Sequence, residues 1–329
     1  MVTNPPTTAR PVLVRLATPA DAPGMWDVTR RAFAARRPLD PPAAALEDTV
    51  DDVAQALQPP GFGVVAVVDD QLVGSLLVRL DQALEDDSPV EAKSSQIATL
   101  RRVGVAPGYR RLGVADAMVR LTLRGLADAG VRRARLLARA ELPATIAWWR
   151  RRGFLVDHEV AHGYVMSANL PTPLTAETAD DMRALGAQLA RLLQPGDLII
   201  ASGELGAGKT VLAQGIGQGL GVDTPVISPT FVLARRHASS SGLGLVHVDA
   251  YRLGSAAELE DIDAVASLPQ AVTYIEWGTG LAEGLSDERL EIHIERGEDD
   301  VRRAYLMPIG RRWREVEWGQ LFNDDKEAE

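Results

Sequence analysis

The chain of 329 residues contains no cysteine. That excludes a disulfide framework, a cysteine-ligated zinc site and a thiol nucleophile, and it fits a reducing compartment. Lysine is almost missing: only Lys93, Lys209 and Lys326 occur among 35 basic residues. No apolar run is long. The longest, Gly61 to Val68, falls far short of the ~18 residues a spanning helix needs. The opening MVTNPPTTARPVLV has no basic start followed by an apolar core, so no secretory leader is visible. A cytoplasmic protein without membrane association is expected. Hydrophobic residues make up 46% and charged residues 24%, close to globular averages, which excludes wholesale disorder. The length exceeds one ordinary core, so two domains are expected.

Charge is uneven. Residues 1–168 hold 21 basic and 19 acidic residues, and residues 169–329 hold 14 and 26. A second half at −12 does not favour unaided nucleic-acid binding, which needs clustered cations to displace counterions. The seam falls at SANLPTPLT, where Pro171 and Pro173 remove backbone donors and favour extended geometry. The expected layout is a first domain over 10–168, a proline-containing linker over 169–175, a second domain over 176–322 and an acidic tail over 323–329.

The first half reads as α+β. Strands are expected at Val12–Leu16, Val64–Val68, Leu72–Leu80, Ile97–Ala106, Ala134–Arg139 and from Phe154 onward. Helices are expected at Ala20–Phe33, Leu112–Ala129 and Pro143–Arg152, and Asp81–Gln96 reads as a solvated loop. The second half alternates strand and helix, which implies a largely parallel α/β sheet. Its helices are Ala179–Leu193 and Lys209–Leu220. Its strands are Asp197–Ser202, Phe231–Arg236, Leu243–Asp249, Ala271–Glu276, Arg289–Glu295 and Val301–Met307, the last two hairpin-like.

GELGAGKT, Gly203 to Thr210, matches G-x-x-x-x-G-K-[ST] between a strand and a helix. Gly203, Gly206 and Gly208 let the amides of Glu204, Leu205 and Ala207 close around phosphate oxygens, and the helix N-terminus adds partial positive charge. In this motif Lys209 bridges the outer phosphates and the Thr210 hydroxyl binds magnesium. Strand-terminal acids Asp249 and Glu276 would face the same crevice, since ligands of parallel sheets bind beyond the strand C-termini. Either acid alone would also serve as a cap for the following segment.

After the loop, VISPTFVL, HVDAYRL, ELEDI and YIEWG follow in order between Val226 and Gly278. Together they resemble the TsaE family, the ATPase subunit of the bacterial machinery that places threonylcarbamoyl on the tRNA adenosine next to the anticodon. The likeness covers about residues 175–310. It implies a P-loop NTPase-type sheet, ATP and magnesium as cofactors, and ATP held by Gly203 to Thr210. Thr210 and Glu276 would hold the metal, Asp249 would assist the attacking water, Thr230 would sense the γ-phosphate, and Trp277 would lie beside the nucleotide or a partner. Glu204, Val211 and Gly278 depart from the usual Asp, Thr and Pro without removing a ligand. The partners implied are the other protein subunits of the synthase, with tRNA reached through them and hydrolysis faster in their presence. His247 reads as a strand residue. Arg235, Arg236 and Arg252 read as surface arginines rather than a catalytic finger.

In the first half RRLGVA, Arg110 to Ala115, matches [QR]-x-x-G-x-[GA] between strand and helix. Amides of Gly113, Val114 and Ala115 at a helix N-terminus suit a pyrophosphate. With the opening RLATPADAPGMWDVTRRAF, the hairpin and IAWWRRRGF, residues 10–168 resemble the GNAT N-acetyltransferase fold, a mixed sheet with helices. The likeness implies acetyl-CoA bound by Arg110, Arg111 and the amides of 113–115, with backbone groups of Val103 and Val105 along the pantetheine. The transfer chemistry is less marked. Trp149 stands where many members carry Tyr, and an indole N–H donates only. Glu141, Glu159 and His158 are the other acid–base candidates. Trp148 and Trp149 read as core and pocket wall, and Arg150–Arg152 as a solvated helix face. The acetyl acceptor is not encoded in a recognisable way. Two alternatives stand beside the fused enzyme: a P-loop kinase of a small molecule, and an ATPase whose first domain is a non-catalytic scaffold.

Overall fold

The computed structural model of the chain describes residues 11–82, 96–240, 242–262, 269–316 and 318. It divides into two compact units, Met1–Ile146 with Val156–Leu170, and Ala147–Leu155 with Pro171–Glu329. In chain order the elements begin β1 (Leu13–Leu16), α1 (Ala22–Ala34), α2 (Val50–Ala56), β2 (Gly61–Val68), β3 (Gln71–Gln82), β4 (Gln96–Val105) and α3 (Val114–Asp128). They continue β5 (Arg133–Arg139), α4 (Pro143–Arg150), β6 (Leu155–Val160) and β7 (Gly163–Asn169). The second sheet and its helices are β8 (Thr172–Ala176), α5 (Ala179–Ala190), β9 (Leu198–Gly203), α6 (Lys209–Gly219), β10 (Ala234–His237), β11 (Leu245–Asp249), α7 (Ala256–Glu260), β12 (Val272–Glu276), β13 (Arg289–Arg296), β14 (Arg302–Ile309) and α8 (Arg311–Arg314).

The first sheet runs β1-β2-β3-β4-β5-β7-β6. β1 to β4 are antiparallel, β4 and β5 are parallel, and β5 and β7 are antiparallel. The parallel pair is short. Pairing ends at Thr99–Arg135, although β4 continues to Val105 and β5 to Arg139. The two strands therefore part and leave an opening edged by main-chain polar groups. A bulge between Ser75 and Leu77 bends β3 against β4 where Arg102 adopts φ 54°, which helps turn β4 away. α1 buries Met25, Val28 and Ala32, and α3 buries Val114, Met118, Leu123 and Leu126, the 3.6-residue stripes expected of helices lying on a sheet. α2, capped by Thr49 and Asp52, has too short an apolar pattern to stand out in the sequence.

The second sheet runs β10-β11-β12-β9-β13-β14-β8. β11, β12, β9 and β13 are parallel, and β10, β14 and β8 flank them antiparallel. One face packs Ile199, Tyr274, Leu290 and Ile292 against Met182, Leu189, Leu212 and Ile216 of α5 and α6. The other packs Leu198, Ile200, Val248 and Ile275 with Leu259. α5 and α6 meet backbone to backbone. A Cβ at Gly215 would lie 2.1 Å from Arg183 O, and one at Gly186 would lie 2.4 Å from Leu212 O.

The structure corrects two expectations. Part of the proposed linker is β8, an edge strand paired with β14, and Pro173 is tolerated because an edge needs no donor on its outer side. The strand expected over Phe231–Arg236 begins only at Ala234: Leu233 adopts φ 64° and the amides of Val232 and Leu233 turn back to Pro229 O. Of the expected loop at Asp81–Gln96, Asp81, Gln82 and Gln96 belong to strands and residues 83–95 lie outside the described residues, as does the acidic tail. Among the described residues no helix is long and apolar enough to cross a membrane.

Candidate functional site

β9 ends at Gly203, whose φ of 142° and close approach to β13 exclude any other residue: a Cβ would lie 2.3 Å from Ile294 O. The loop then turns through Gly206 (φ 77°) and reaches Gly208 (φ 106°), the left-handed N-cap of α6. Leu205 at the loop is 89% exposed, whereas Lys209 is only 4% exposed. The Lys209 ammonium donates to the carbonyls of Gly203 (2.8 Å) and Glu204 (2.9 Å) and lies 3.9 Å from the Trp277 ring centroid. Burial lowers its pKa, opposed by the negative charges of Glu276 and Asp249. Tyr274 donates to Lys209 O at 2.7 Å. Burial raises the Tyr274 pKa and the Glu276 charge adds to the shift, so it stays a protonated donor.

The two strand-terminal acids stand side by side, Asp249 opposite Glu276 in the β11–β12 register. Thr210 Oγ1 donates to Glu276 Oε1 at 2.7 Å. Asp249 Oδ2 accepts from Thr230 Oγ1 at 2.6 Å and from Ser228 Oγ at 3.2 Å, and Asp249 Oδ1 accepts from the Tyr251 amide at 3.0 Å. Trp277, with φ 60°, packs edge-on against Tyr251 at 5.2 Å. Lys209, Thr210, Thr230, Asp249, Glu276 and Trp277 are thus brought together. Arg235 and Arg236 are exposed on β10, and Arg252 lies 5.0 Å over the Phe231 ring.

Three contributors were not singled out from the sequence. Ser228 shares the acid with Thr230 two residues on, a spacing that the SPTF motif carries. Tyr274 and His247 read as alternate strand residues, and only the fold shows what they touch. The donor set fits a magnesium nucleotide: loop amides and an ammonium for phosphate, a hydroxyl and a carboxylate for the metal. Among the described residues no cluster of three or more His, Asp or Glu encloses a metal.

In the first unit the loop 107–113 leads to Gly113 (φ 74°), the left-handed N-cap of α3, with Arg111 also at positive φ (69°). The first amides of α3, Val114 and Ala115 among them, have no partner within the helix. Val103 and Val105 lie on the diverging half of β4. Val103 O accepts from Arg36 at 3.3 Å, and Arg110 turns back to Ala32 O at 2.9 Å. Burial pushes the Arg36 pKa down to about 10, with the Arg110 charge as a lesser cause.

The acid–base candidates fare less well. Arg139 forks onto Glu141 at 2.7 and 3.2 Å and holds its pKa down to about 2, which makes it a weak base. His158 and Glu159 sit on β6, three strands from β4 in the sheet order, so the structure does not bring them to the opening. Trp149 is buried edge-on between Trp148 (4.7 Å) and Phe154 (4.9 Å), as a core residue is. Arg152 is not simply solvated: it stacks 3.6 Å over Trp148.

A parallel sheet with a glycine loop, a Lys-Thr helix start and two adjacent strand-end carboxylates defines a P-loop nucleotide-binding domain. Residues 176–305 match the family described as "Threonylcarbamoyl adenosine biosynthesis protein TsaE", and residues 24–154 match the "Acetyltransferase (GNAT) family". A Streptomyces coelicolor protein, "tRNA threonylcarbamoyladenosine biosynthesis protein TsaE", is 51% identical over 138 residues, 40% of this chain and 93% of that protein. The Bacillus subtilis protein of the same description is 34% identical over 134 residues, 41% of this chain and 84% of that one. A solved structure described as the PaiA N-acetyltransferase of Thermoplasma acidophilum in complex with coenzyme A is similar at TM-score 0.40 and 14% identity, covering 48% of this chain and 99% of that one. The chain belongs to the TsaE family through its second unit, and it carries a GNAT acetyltransferase domain in its first.

Proposed function

We propose that the second unit binds and hydrolyses ATP with magnesium in support of tRNA N6-threonylcarbamoyladenosine formation in the cytoplasm. The convergence of Lys209, Thr210, Asp249 and Glu276 on one loop mouth carries this reading. The loop amides and Lys209 would hold the phosphates. Thr210 and Glu276 would hold magnesium, which neutralises phosphate charge. Asp249 lies beside them on β11, and by accepting from Thr230 it couples the 226–233 segment to the site. Asp249 is then the group that orients water for attack on the γ-phosphate.

Hydrolysis is expected to be slow in the isolated chain and faster with protein partners, the other subunits of the synthase. Ile227, Phe231 and Val232 on the Thr230 segment, Leu205 on the loop and Tyr251 beside Trp277 are all exposed apolar or aromatic side chains, Phe231 at 86%. Such exposure at a site's rim suits contact with another protein. Contact with tRNA is assigned to those partners, since the second half carries net −12.

The first unit is read as binding acetyl-CoA, its pantetheine along Val103 and Val105 in the β4–β5 opening and its pyrophosphate at the start of α3. Titration calorimetry of the full chain with acetyl-CoA tests that part. Micromolar binding supports an acetyltransferase, and absence of binding leaves a scaffold. For the nucleotide site the test is Lys209→Ala. Loss of the ammonium is expected to weaken ATP binding by about 100-fold, the worth of charged hydrogen bonds near ~3 kcal/mol. Unchanged affinity would remove the loop from the site.

A further inference from the structure

His247 lies on β11 opposite Tyr274 in register, fully buried, and its ring meets Tyr274 edge-on at 5.6 Å. It does not stop at its partner. Its Nε2 reaches diagonally along β12 to Glu276 Oε1 at 2.9 Å, the oxygen that also accepts from Thr210. A carboxylate oxygen accepts only, so Nε2 carries the proton. The other ring nitrogen, Nδ1, is buried without a hydrogen-bond partner among the described residues. For shape alone a Leu or Phe would fill this strand position without leaving a polar atom orphaned. The imidazole is retained at that expense, and the one hydrogen bond it makes among the described residues is with Glu276.

We infer that His247 is a positioning residue for the metal-binding carboxylate: it fixes Glu276 from the sheet side so that the acid presents a constant geometry to a magnesium nucleotide. This rests on the reading of the second unit as an ATP site. Thr210 approaches Glu276 from α6, just past the phosphate loop, and His247 approaches from the rigid interior of the sheet. Both donors fall on Oε1, and no hydrogen bond among the described residues falls on Oε2, so one oxygen stays uncommitted. Losing the hydroxyl's donation would leave the acid still anchored; losing the imidazole would leave it held only by a residue next to the ligand.

The test uses the full chain and ADP, with Trp277 fluorescence reporting binding with and without magnesium. In His247→Leu, ADP affinity without magnesium is expected to stay within about twofold of wild type, and the magnesium concentration giving half of the metal-dependent signal is expected to rise about tenfold. His247→Gln, whose amide reaches the Nε2 position, is expected to restore it. An unchanged magnesium requirement in a folded His247→Leu chain overturns the inference. If that variant does not fold, nitrogen NMR of the wild-type imidazole decides: a proton on Nε2 whose signal shifts in Glu276→Gln supports it, and a proton on Nδ1 overturns it. Failure of wild-type ADP binding would instead sink the ATP reading itself.

Discussion

The chain builds the same device twice, with different chemistry around it. In each unit a strand runs into a glycine-containing loop, and a glycine at left-handed φ caps the next helix: Gly113 before α3 and Gly208 before α6. The surroundings differ. β9 is hydrogen-bonded on both sides, and β12 beside it and β11 beyond end in Glu276 and Asp249. β4 parts from β5, so its loop faces an opening edged by backbone groups, with Arg36 and Arg110 beside it and Asp116 in the first turn of α3. Amides at a helix start suffice to hold a phosphate. Breaking one also calls for acids to place metal and water, the part proposed above for Asp249 and Glu276 at adjacent strand ends.

The largest expected effect is at Glu276. Glu276→Gln keeps shape and removes charge, so magnesium-dependent hydrolysis should fall about 1000-fold, roughly 4 kcal/mol of lost electrostatic stabilisation. Nucleotide binding should persist, measured by titration alongside phosphate release. Equal turnover in variant and wild type would erase the distinction between the units. Next comes Gly203→Ala. Its φ and the 2.3 Å clash with Ile294 O should destabilise the second unit by about 3 kcal/mol, read as a lower thermal midpoint. Gly113→Ala sharpens the contrast, because a Cβ there meets nothing within 4 Å. Only the positive φ opposes it, about 1 kcal/mol, so acetyl-CoA affinity should move more than folding does.

The smallest effect is Arg15→Ala in the first unit. Arg15 forks onto Asp21 at 2.8 Å and, with Thr18, holds that carboxyl well below its ordinary 3.8. A depressed carboxyl stabilises the fold above its unfolded pKa and loses that contribution as pH falls through the folded one. The variant should be less stable by under about 1 kcal/mol at pH 7, since the pair is partly exposed. The gap should hold down to about pH 4 and close below it. Urea unfolding at a series of pH values would show a constant gap if Asp21 were not the cause.

Local patterns made much of this readable. GELGAGKT between an apolar strand and a helix places the loop, and acids closing apolar runs mark the adjacent strand ends at Asp249 and Glu276. Short-range rules misled where tertiary pairing decided. Two prolines within nine residues read as a linker, yet the edge of β14 takes Thr172–Ala176 as a strand. Phe231 to Leu233 has β propensity, but the carbonyl of Pro229 recruits the amides of Val232 and Leu233 into a turn. His247 was least readable, because a diagonal contact across two strands has no signature in either strand alone.

The helix pair behind the phosphate loop bears on how this protein can change over time. Along α5 and α6, Gly186, Gly215 and Gly219 each face main-chain atoms of the opposite helix, with Ala190 and Ala187 beside Gly219. Most tight seams can drift: one residue enlarges and a neighbour shrinks to receive it. Here the receiving side at Gly186 and Gly215 is carbonyl and backbone, which no second mutation can make smaller. Lineages carrying this seam are held to it, and α6, which begins at Lys209, keeps its distance from α5 for as long as they do.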